Sequence, residues 1–397
     1  MSYEKENIPS RKKNFPSSKK IFKKGKNRVA LSAALLPLLM SAFLLTSCKG
    51  TPSPSLSRHP CTPEAETLLA GLKRIAESPS FMYGHQDDTA YGHAWKYEDG
   101  RSDTRDVCGD YPGVIGFDLG HLELGHARNL DGVPFDWMRR EIIRQYERGG
   151  LVTLSWHLDN PLTGGDSWDF SCDSTVQSIL PGGHLHDEFL IRLGRVADFL
   201  ETIVTDRGTK VPVLFRPWHE HTGNWFWWGQ SHCTAEQYKA LWQMTSDYMQ
   251  QRGITHLLWA YSPGSEPTTL DEYFERYPGD DIIDLLGFDT YQGASREAYL
   301  RTMKNSLDLL TQAAAAHGKV AAVTETGFEG TPDSLWWTQT LLPAVAEAPV
   351  AYVLVWRNAW DRASHHYGIY PGHCSETDFI SFFNDPRTIF ATEAKLK

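Results

Sequence analysis

The feature that most constrains the fold is a series of eight short apolar runs, separated by longer segments with helical periodicity. The runs are 81–85, 113–118, 151–157, 211–216, 255–261, 283–289, 319–325 and 351–357. They are continuously apolar or β-branched, which is typical of parallel strands buried on both faces. Between them, apolar residues recur with the period of an α-helix in 135–148, 188–205, 235–251, 296–317 and 335–346.

Eight strand units joined by helices, in a domain of roughly 300 residues, predict an α/β fold and a closed (β/α)8 TIM barrel. The main alternative is an open, doubly wound sheet. That fold commonly carries a glycine-rich phosphate loop after an early strand, and no such loop follows the first runs. The sequence therefore favours the barrel.

Polar side chains collect at the carboxyl end of nearly every run. They are His85 with Gln86 and Asp87, Asp118 with His121, His157 with Asp159, His219 with Glu220, Asp289 with Tyr291, Glu325, and Arg357 with Asn358. In an α/β barrel these ends converge on one mouth, where the active site lies. A purely structural sheet would have no reason to concentrate ionisable groups at one end only.

Two of these polar residues, Glu220 and Glu325, indicate the chemistry. Each lies just where an apolar run ends, and three tryptophans follow the first: Trp225, Trp227 and Trp228. Cleavage of a glycosidic bond needs two carboxyl groups, one as acid and one as nucleophile or base. It also needs flat aromatic surfaces on which sugar rings stack, and the tryptophans are predicted to supply them.

Strand alternation predicts which way both glutamates point. If the fourth strand stays regular, one face carries Leu214, Arg216, Trp218 and Glu220; in the seventh strand one face carries Ala321, Val323 and Glu325. Both carboxyl groups are then expected at the mouth of the barrel. Retention of anomeric configuration needs carboxyl groups about 5–5.5 Å apart and inversion about 6.5–9.5 Å. Spacing along the chain does not measure that distance.

The residues around both glutamates resemble glycoside hydrolase family 26. The matching segments are RPWHE at 216–220, GNWFWWG at 223–229 and TETG at 324–327, within a resemblance that extends from about residue 65 to 390. The histidine before the first glutamate is the distinctive part, since asparagine is usual in other (β/α)8 retaining glycosidases of that clan. The resemblance implies a retaining glycosidase, in a family dominated by β-mannanases, with Glu220 as general acid/base and Glu325 as nucleophile.

Six further residues are predicted to contact substrate: His157, His219, Trp225, Tyr291, Trp356 and Arg357. All but His219 lie where the resemblance places substrate contacts, and both histidines are assigned to contact with substrate or nucleophile. The alternatives are that the two histidines are satisfied core residues, that Trp356 fills the barrel, and that Arg357 only braces a carboxylate at the rim.

The proposed roles require the two glutamates to differ in protonation. Glu220 must stay protonated near neutrality, and both an aromatic wall and the charge of Glu325 raise the pKa of such a carboxyl group. A hydrogen bond donated by the hydroxyl of Tyr291 would stabilise the ionised form of Glu325.

Composition and the remaining histidines exclude other classes of function. A formal net charge of -10 argues against a nucleic-acid partner, which needs a basic surface. His219 and His221 lack the four-residue spacing of a zinc-protease helix. The histidine-rich segments 184–188 and 365–366 are better explained as solvated loops than as metal ligands. No metal and no cofactor are therefore expected.

The N-terminus is interpreted as a targeting segment. Basic residues precede an apolar stretch at 29–45, and the ending Leu45-Thr46-Ser47-Cys48 resembles a bacterial lipobox. We expect a signal peptide over 1–48 with acylation of Cys48, a flexible linker over 49–64 and a catalytic domain over 65–397. An ordinary signal peptide with an incidental cysteine is the alternative. The five other cysteines allow at most two disulfides, and their pairing is not predicted.

The sequence as a whole predicts a retaining endo-β-1,4-mannanase that cuts mannan or galactomannan. It is expected to be a monomer and a bacterial lipoprotein of the outer membrane or facing the periplasm. Three alternatives stay open: release of mannobiose from chain ends, action on another β-glycan such as β-1,3-xylan or mixed-linkage glucan, and a lipid-anchored mannan-binding protein without catalysis. Tolerance of galactose branches and the leaflet that carries the anchor are not predicted.

Overall fold

The computed structural model describes residues 59–397. The predicted signal peptide with Cys48, and linker residues 49–58, lie outside this range. The first helix, α1 (Pro63–Ala76), begins two residues before the predicted start of the domain, where Thr62 accepts the amide of Ala65 at 3.3 Å. Within residues 59–397, none of the helices combines the length and hydrophobicity of a bilayer-spanning segment.

Eight parallel strands form a closed barrel. They are β1 (Phe81–Gln86), β2 (Val114–Asp118), β3 (Leu151–Trp156), β4 (Val213–Pro217), β5 (Leu257–Tyr261), β6 (Leu285–Gln292), β7 (Val320–Phe328) and β8 (Tyr352–Val355). Each strand pairs with the next in chain order, and β1 pairs with β8 to close the ring. Each strand overlaps one of the eight predicted runs, so the predicted (β/α)8 barrel is confirmed.

Most helices connect successive strands, while one precedes β1 and two follow β8. The longer ones are α1, α3 (Phe135–Arg148), α5 (His186–Glu201), α6 (Ala235–Gln251), α8 (Arg296–His317) and α10 (Glu376–Phe383). The short ones are α2 (Asp103–Cys108), α4 (Thr175–Ile179), α7 (Leu270–Phe274), α9 (Leu342–Val345), which continues a π-helical turn at Trp337–Leu341, and α11 (Ala391–Ala394). A hairpin of Tyr91–Gly92 and Trp95–Lys96 follows β1, and a strand at Thr388–Ile389 pairs with β1.

Two hydrophobic layers hold this architecture together. The barrel interior takes one buried apolar side chain or more from each strand: Met82, Val114, Leu151, Leu214, Leu258, Leu285, Val320 and Leu354. Leu68 and Leu72 of α1 belong to the same layer and cover the end at which the strands begin. A larger layer lies between the strands and the outer helices. The end at which the strands finish is left for polar side chains.

An irregularity in β7 determines the direction of its last residues. Along β8, Val353 and Val355 are two residues apart, yet they pair with Val323 and Thr326 of β7. Strand β6 skips Thr324 in the same way. Thr324 is therefore the extra residue of a β-bulge, which reverses the alternation of the side chains that follow it.

The bulge corrects the predicted facing of β7. Val320 and Ala322 lie in the interior layer, whereas Ala321 and Val323 pack outwards against the helices. In a regular strand Glu325 would follow Ala321 and Val323 outwards. The prediction that these three residues share a face is wrong, and Glu325 reaches the barrel mouth because one residue is inserted before it.

Four cysteines in the part of the chain that the structure describes are free thiols: Cys108, Cys172, Cys233 and Cys374. Burial raises the pKa of Cys108 to about 12, which keeps that thiol protonated and unreactive.

Candidate active site

Three carboxyl groups converge at the carboxyl ends of β4, β6 and β7. Glu220 lies in the loop after β4, Asp289 in β6 and Glu325 in β7. One carboxylate oxygen of each lies within 4.8 Å of the corresponding oxygens of the other two. The two glutamates are 105 residues apart in the chain, and the closed barrel brings them together as the sequence predicted.

Arg216 holds two of these carboxylates. Its side chain is 1% exposed. One terminal nitrogen, Nη1, donates to Asp289 at 2.8 Å and to the hydroxyl of Ser262 at 3.0 Å, while Nη2 donates to Oε1 of Glu325. Burial opposes the charge of a guanidinium group, but the two carboxylates outweigh it and raise the pKa of Arg216 further. Arg216 therefore orients Glu325 and neutralises part of the negative charge at the mouth.

Tyr291 holds the other oxygen of the nucleophile candidate. Its hydroxyl donates to Oε2 of Glu325 at 2.6 Å. Burial, and then the negative charges of Glu325 and Glu220, raise the pKa of Tyr291 well above its ordinary value. The hydroxyl thus stays protonated as a donor. Both oxygens of Glu325 accept hydrogen bonds, so its carboxylate is held in one orientation, as the attack of a nucleophile requires.

Glu220 lies on a strained segment of backbone beyond β4. Trp218 and Glu220 both have left-handed conformations, with φ of 57° and 52°, which cost a residue other than glycine about 1–2 kcal/mol each. The amide of Glu220 donates to the carbonyl of Ser262 at 2.8 Å, and the hydroxyl of Tyr238 donates to the carbonyl of Trp218 at 2.6 Å. Neighbouring elements therefore impose this conformation.

The same conformation corrects the predicted alternation along β4. Arg216 points to the mouth like Glu220, but Trp218 is fully buried in the outer layer. There it packs edge to face against Trp227 and Trp228, with ring centroids 5.8 Å apart in each case. Trp218 does not share a face with Arg216, because the strand ends at Pro217.

The electrostatic environment of Glu220 is that of a general acid. Burial, and then the charge of Glu325, raise its pKa to about 7, although the indole N–H of Trp225 donates to its Oε2 at 2.7 Å and favours the ionised form. Near neutral pH this carboxyl group is partly protonated and is able both to give and to accept a proton.

Of the three tryptophans predicted as sugar-stacking surfaces, only Trp225 faces solvent. Its side chain is 37% exposed, whereas Trp227 and Trp228 are fully buried. The indole of Trp228 donates to the carbonyl of His219 at 2.8 Å, and that of Trp227 to the carbonyl of Leu158 at 3.2 Å. The two buried tryptophans support the backbone of the site and do not offer a surface to substrate.

His157 and His219 form a buried pair beside the glutamates. Their Nε2 atoms are 3.1 Å apart, and Nδ1 of His157 lies 2.7 Å from Oδ2 of Asp118. Burial, and then the charges of Arg216 and His157, lower the pKa of His219 well below its ordinary value. For His157, burial is outweighed by Asp118, so the pKa is raised. Of the pair, His157 is therefore the ring that takes up the second proton and becomes positively charged.

The remaining predicted contacts lie on the β8 side of the mouth. Trp356 is half-buried, with its ring centroid 6.3 Å from that of His157. Arg357 forms an ion pair with Asp131 at 3.1 Å and donates to the hydroxyl of Tyr91 at 3.2 Å. Arg357 thus braces a carboxylate, which was its alternative role, and its side chain is only partly buried.

Several residues of the site were not singled out from the sequence. Asp118 and Asp289 were included only as polar residues at strand ends, and nothing in the sequence indicated Asp131. Trp168 is 46% exposed and stacks on the ring of His157 at 5.4 Å. It lies in the loop after β3, where local sequence gives no signal that a tryptophan faces the site.

The three converging carboxylates also have the ligand atoms of a cation site. Arg216 already donates to Asp289 and Glu325, so the chain itself supplies a balancing positive charge. In the two histidine-rich segments, His186 contacts the carbonyl of Ile179 at 3.0 Å, and His365 contacts Glu329 at 2.8 Å.

Comparison with known proteins places this site in context. The sequence profile of glycosyl hydrolase family 26 matches residues 59–365, a range that includes both glutamates. Over 365 residues the chain is 28% identical to a mannan endo-1,4-beta-mannosidase of Bifidobacterium adolescentis, covering 86% of this chain but only 36% of that relative's length. A mannan endo-1,4-beta-mannosidase of Bacillus subtilis is 29% identical over 271 residues, 65% of this chain and 70% of the relative.

Solved structures resemble the barrel more fully. A GH26 beta-mannanase from Bacteroides ovatus has a TM-score of 0.82 and 53% identity, covering 83% of this chain and 95% of that one. A modular endo-beta-1,4-mannanase from Cellulomonas fimi has a TM-score of 0.77 and 32% identity, covering 86% of this chain and 78% of that one.

Proposed function

The chain belongs to glycosyl hydrolase family 26, and from this premise we propose that it is a retaining endo-β-1,4-mannanase that hydrolyses mannan or galactomannan. The observation that carries the proposal is the approach of Glu220 and Glu325, whose nearest oxygens lie within 4.8 Å. Retaining glycosidases hold their carboxyl groups about 5–5.5 Å apart, and inverting enzymes about 6.5–9.5 Å, to leave room for a water molecule. The short distance supports double displacement.

In the first step Glu325 attacks the anomeric carbon. Its carboxylate forms a bond to that carbon as the glycosidic bond breaks, and Glu220 gives its proton to the departing oxygen. The hydrogen bonds from Arg216 and Tyr291 orient Glu325 before attack. The raised pKa of Glu220, about 7, keeps a proton available for the leaving group.

In the second step Glu220 acts as a base. Once Glu325 is bonded to the sugar it carries no charge, so one cause of the raised pKa of Glu220 is removed. Glu220 then takes a proton from water, whose oxygen attacks the anomeric carbon and releases Glu325. The sugar leaves with the configuration that it had in the substrate.

The substrate is proposed from the relatives and from the shape of the site. The curated relatives are named as mannan endo-1,4-beta-mannosidases. Trp225 offers a sugar ring an exposed face beside the acid. Arg357 is only partly buried, and we expect it to donate to sugar hydroxyls. Mannobiose release from chain ends, action on another β-glycan, and mannan binding without catalysis remain the alternatives.

Product analysis tests this proposal directly. The protein is incubated with linear mannan and galactomannan, reducing ends are counted, and product lengths are followed with time. Endo action gives a broad range of early products, whereas exo action gives one short product throughout. The anomeric configuration of the first product, read by proton NMR, distinguishes retention from inversion. Release of no reducing ends would leave only the binding role.

Two variants test the roles of the glutamates. Glu220→Ala should still consume aryl glycosides with good leaving groups, and azide should accelerate it, because the nucleophile is intact. Glu325→Ala should neither consume these aryl glycosides nor be accelerated by azide. If the two variants behave alike, the acid and nucleophile are misassigned.

We further propose that Cys48 carries a lipid anchor, that residues 49–58 act as the tether, and that the enzyme acts as a monomer at the outer membrane or the periplasmic face. Cys48→Ala should move the protein from the membrane fraction to the soluble fraction of the producing cells. Light scattering of the delipidated protein measures its mass in solution.

A further inference from the structure

Asp118 is the most completely bonded carboxylate near the site, although it touches neither glutamate. Its Oδ2 faces Nδ1 of His157 at 2.7 Å and accepts the hydroxyl of Ser155 at 2.6 Å. Its Oδ1 accepts the amides of Gly120 at 2.7 Å and of His157 at 3.2 Å. The side chain is 1% exposed. Four donors around one buried carboxylate fix both its ionised form and its direction.

This arrangement also fixes the tautomer of His157. An ionised carboxylate accepts hydrogen bonds but does not donate them, so Nδ1 of His157 must carry a proton. The other ring nitrogen, Nε2, then points to Nε2 of His219 at 3.1 Å. One proton lies between these two Nε2 atoms. When the pair carries a positive charge, this proton is bonded to Nε2 of His157. When the pair is neutral, it is bonded to Nε2 of His219.

The His157–His219 pair carries at most one extra charge, and several groups influence where it lies. The ionisable groups acting on His157 are Asp118 from β2, Asp131 from the loop that follows, His219 and Glu220 from the loop after β4, and Glu325 from β7. Four of these are acids and favour a proton on His157. Arg216, which adjoins His219, disfavours a second proton on the pair.

We propose that Asp118 is a positioning residue that holds a proton on the His157–His219 pair, and so places a positive charge beside the two catalytic carboxyl groups. That charge favours the ionised form of Glu220 and opposes the combined effect of burial and Glu325. Asp118 thereby limits how far the acid is shifted and sets the pH at which it loses its proton. The inference deepens the proposed function of the same site and rests on it.

The test replaces Asp118 with an isosteric neutral residue. In Asp118→Asn the side-chain oxygen still accepts hydrogen bonds, but the side-chain nitrogen only donates them. The asparagine therefore cannot accept hydrogen bonds at both positions, as the two oxygens of Asp118 do. His157 should titrate about one pH unit or more lower than in the wild type. The basic limb of kcat/KM on mannan should move up by roughly half to one pH unit, because Glu220 loses a favourable cation.

The matched control is Asp284→Asn. Asp284 is also a buried carboxylate paired with a histidine, His59, at 2.7 Å, but it precedes β6 at the opposite end of the barrel. This variant should be less stable than the wild type, but the titration of His157 and the basic limb of kcat/KM should stay where they are. Equal shifts in both variants, or no shift in Asp118→Asn, would overturn the proposal.

A measurement on the wild-type full-length protein covers the case in which Asp118→Asn does not fold. Nitrogen-15 histidine spectra report which ring nitrogen carries the proton. Over spectra recorded from about pH 5 to about pH 9, we expect His157 to keep the proton on Nδ1. A neutral His157 with its proton on Nε2 instead would overturn the proposal. These spectra need no activity, so a protein that hydrolyses no mannan but has the expected His157 spectrum would contradict only the proposed function.

Discussion

The substitution Glu325→Gln should lower the pKa of Glu220, because it imitates the loss of charge that occurs when the glycosyl-enzyme forms. Gln keeps the volume of the side chain, and its amide can still accept from Arg216. In the wild type the charge of Glu325 is one of the causes that raise the pKa of Glu220 to about 7. Its removal leaves burial as the main remaining cause.

The size of the effect follows from the distance between the two carboxyl groups. The two carboxyl groups have oxygens within 4.8 Å of each other. At that limit and an effective dielectric constant of about 20, two unit charges interact by about 3.5 kcal/mol, or roughly 2.5 pKa units. Arg216 donates to Glu325 and balances part of its charge. We therefore expect a decrease of roughly one pKa unit, from about 7 to about 6.

Carbon-13 NMR of carboxyl-labelled glutamate measures this change. Subtracting the spectrum of a Glu220→Gln protein, and of the Glu220→Gln, Glu325→Gln double variant, isolates the signal of Glu220. Glu329→Gln is a suitable control, because that glutamate also follows β7 but its side chain is 57% exposed and is paired with His365. A titration of Glu220 at or above the wild-type pH in Glu325→Gln would refute the reasoning about pKa cycling.

Three further outcomes are expected. Trp225→Phe keeps an aromatic surface but removes the indole donor to Glu220. The basic limb of kcat/KM, which we expect near pH 7 in the wild type, should therefore move up by roughly half a pH unit. A downward shift would contradict this. Arg216→Met should lower the free energy of unfolding by about 3–5 kcal/mol in urea titrations, because two buried carboxylates lose their partner; a loss below about 1 kcal/mol would contradict this. Trp168→Ala should raise KM for mannan up to about tenfold with little change in kcat, because an exposed ring on His157 is lost; a fall in kcat at constant KM would assign it a structural role.

Much of this protein is determined by local sequence. Each barrel strand overlaps a run of residues that are apolar on both sides, and helices α3, α6 and α8 have the predicted bounds. These elements are predictable because periodicity and burial of both faces are properties of neighbouring residues. The polar residues at strand ends located the mouth, and Glu220 and Glu325 were found from short motifs.

Tertiary structure decided the direction and the environment of those side chains. The bulge at Thr324 turns Glu325 to the mouth, although strict alternation points it outwards. Trp227 and Trp228 are buried while Trp225 is exposed, yet all three lie in one motif. The contacts of Asp118 with His157, and of Arg216 with Glu325, join residues 39 and 109 positions apart. Register, burial and charge at the site depend on which strands become neighbours when the barrel closes, and a local segment does not contain that information.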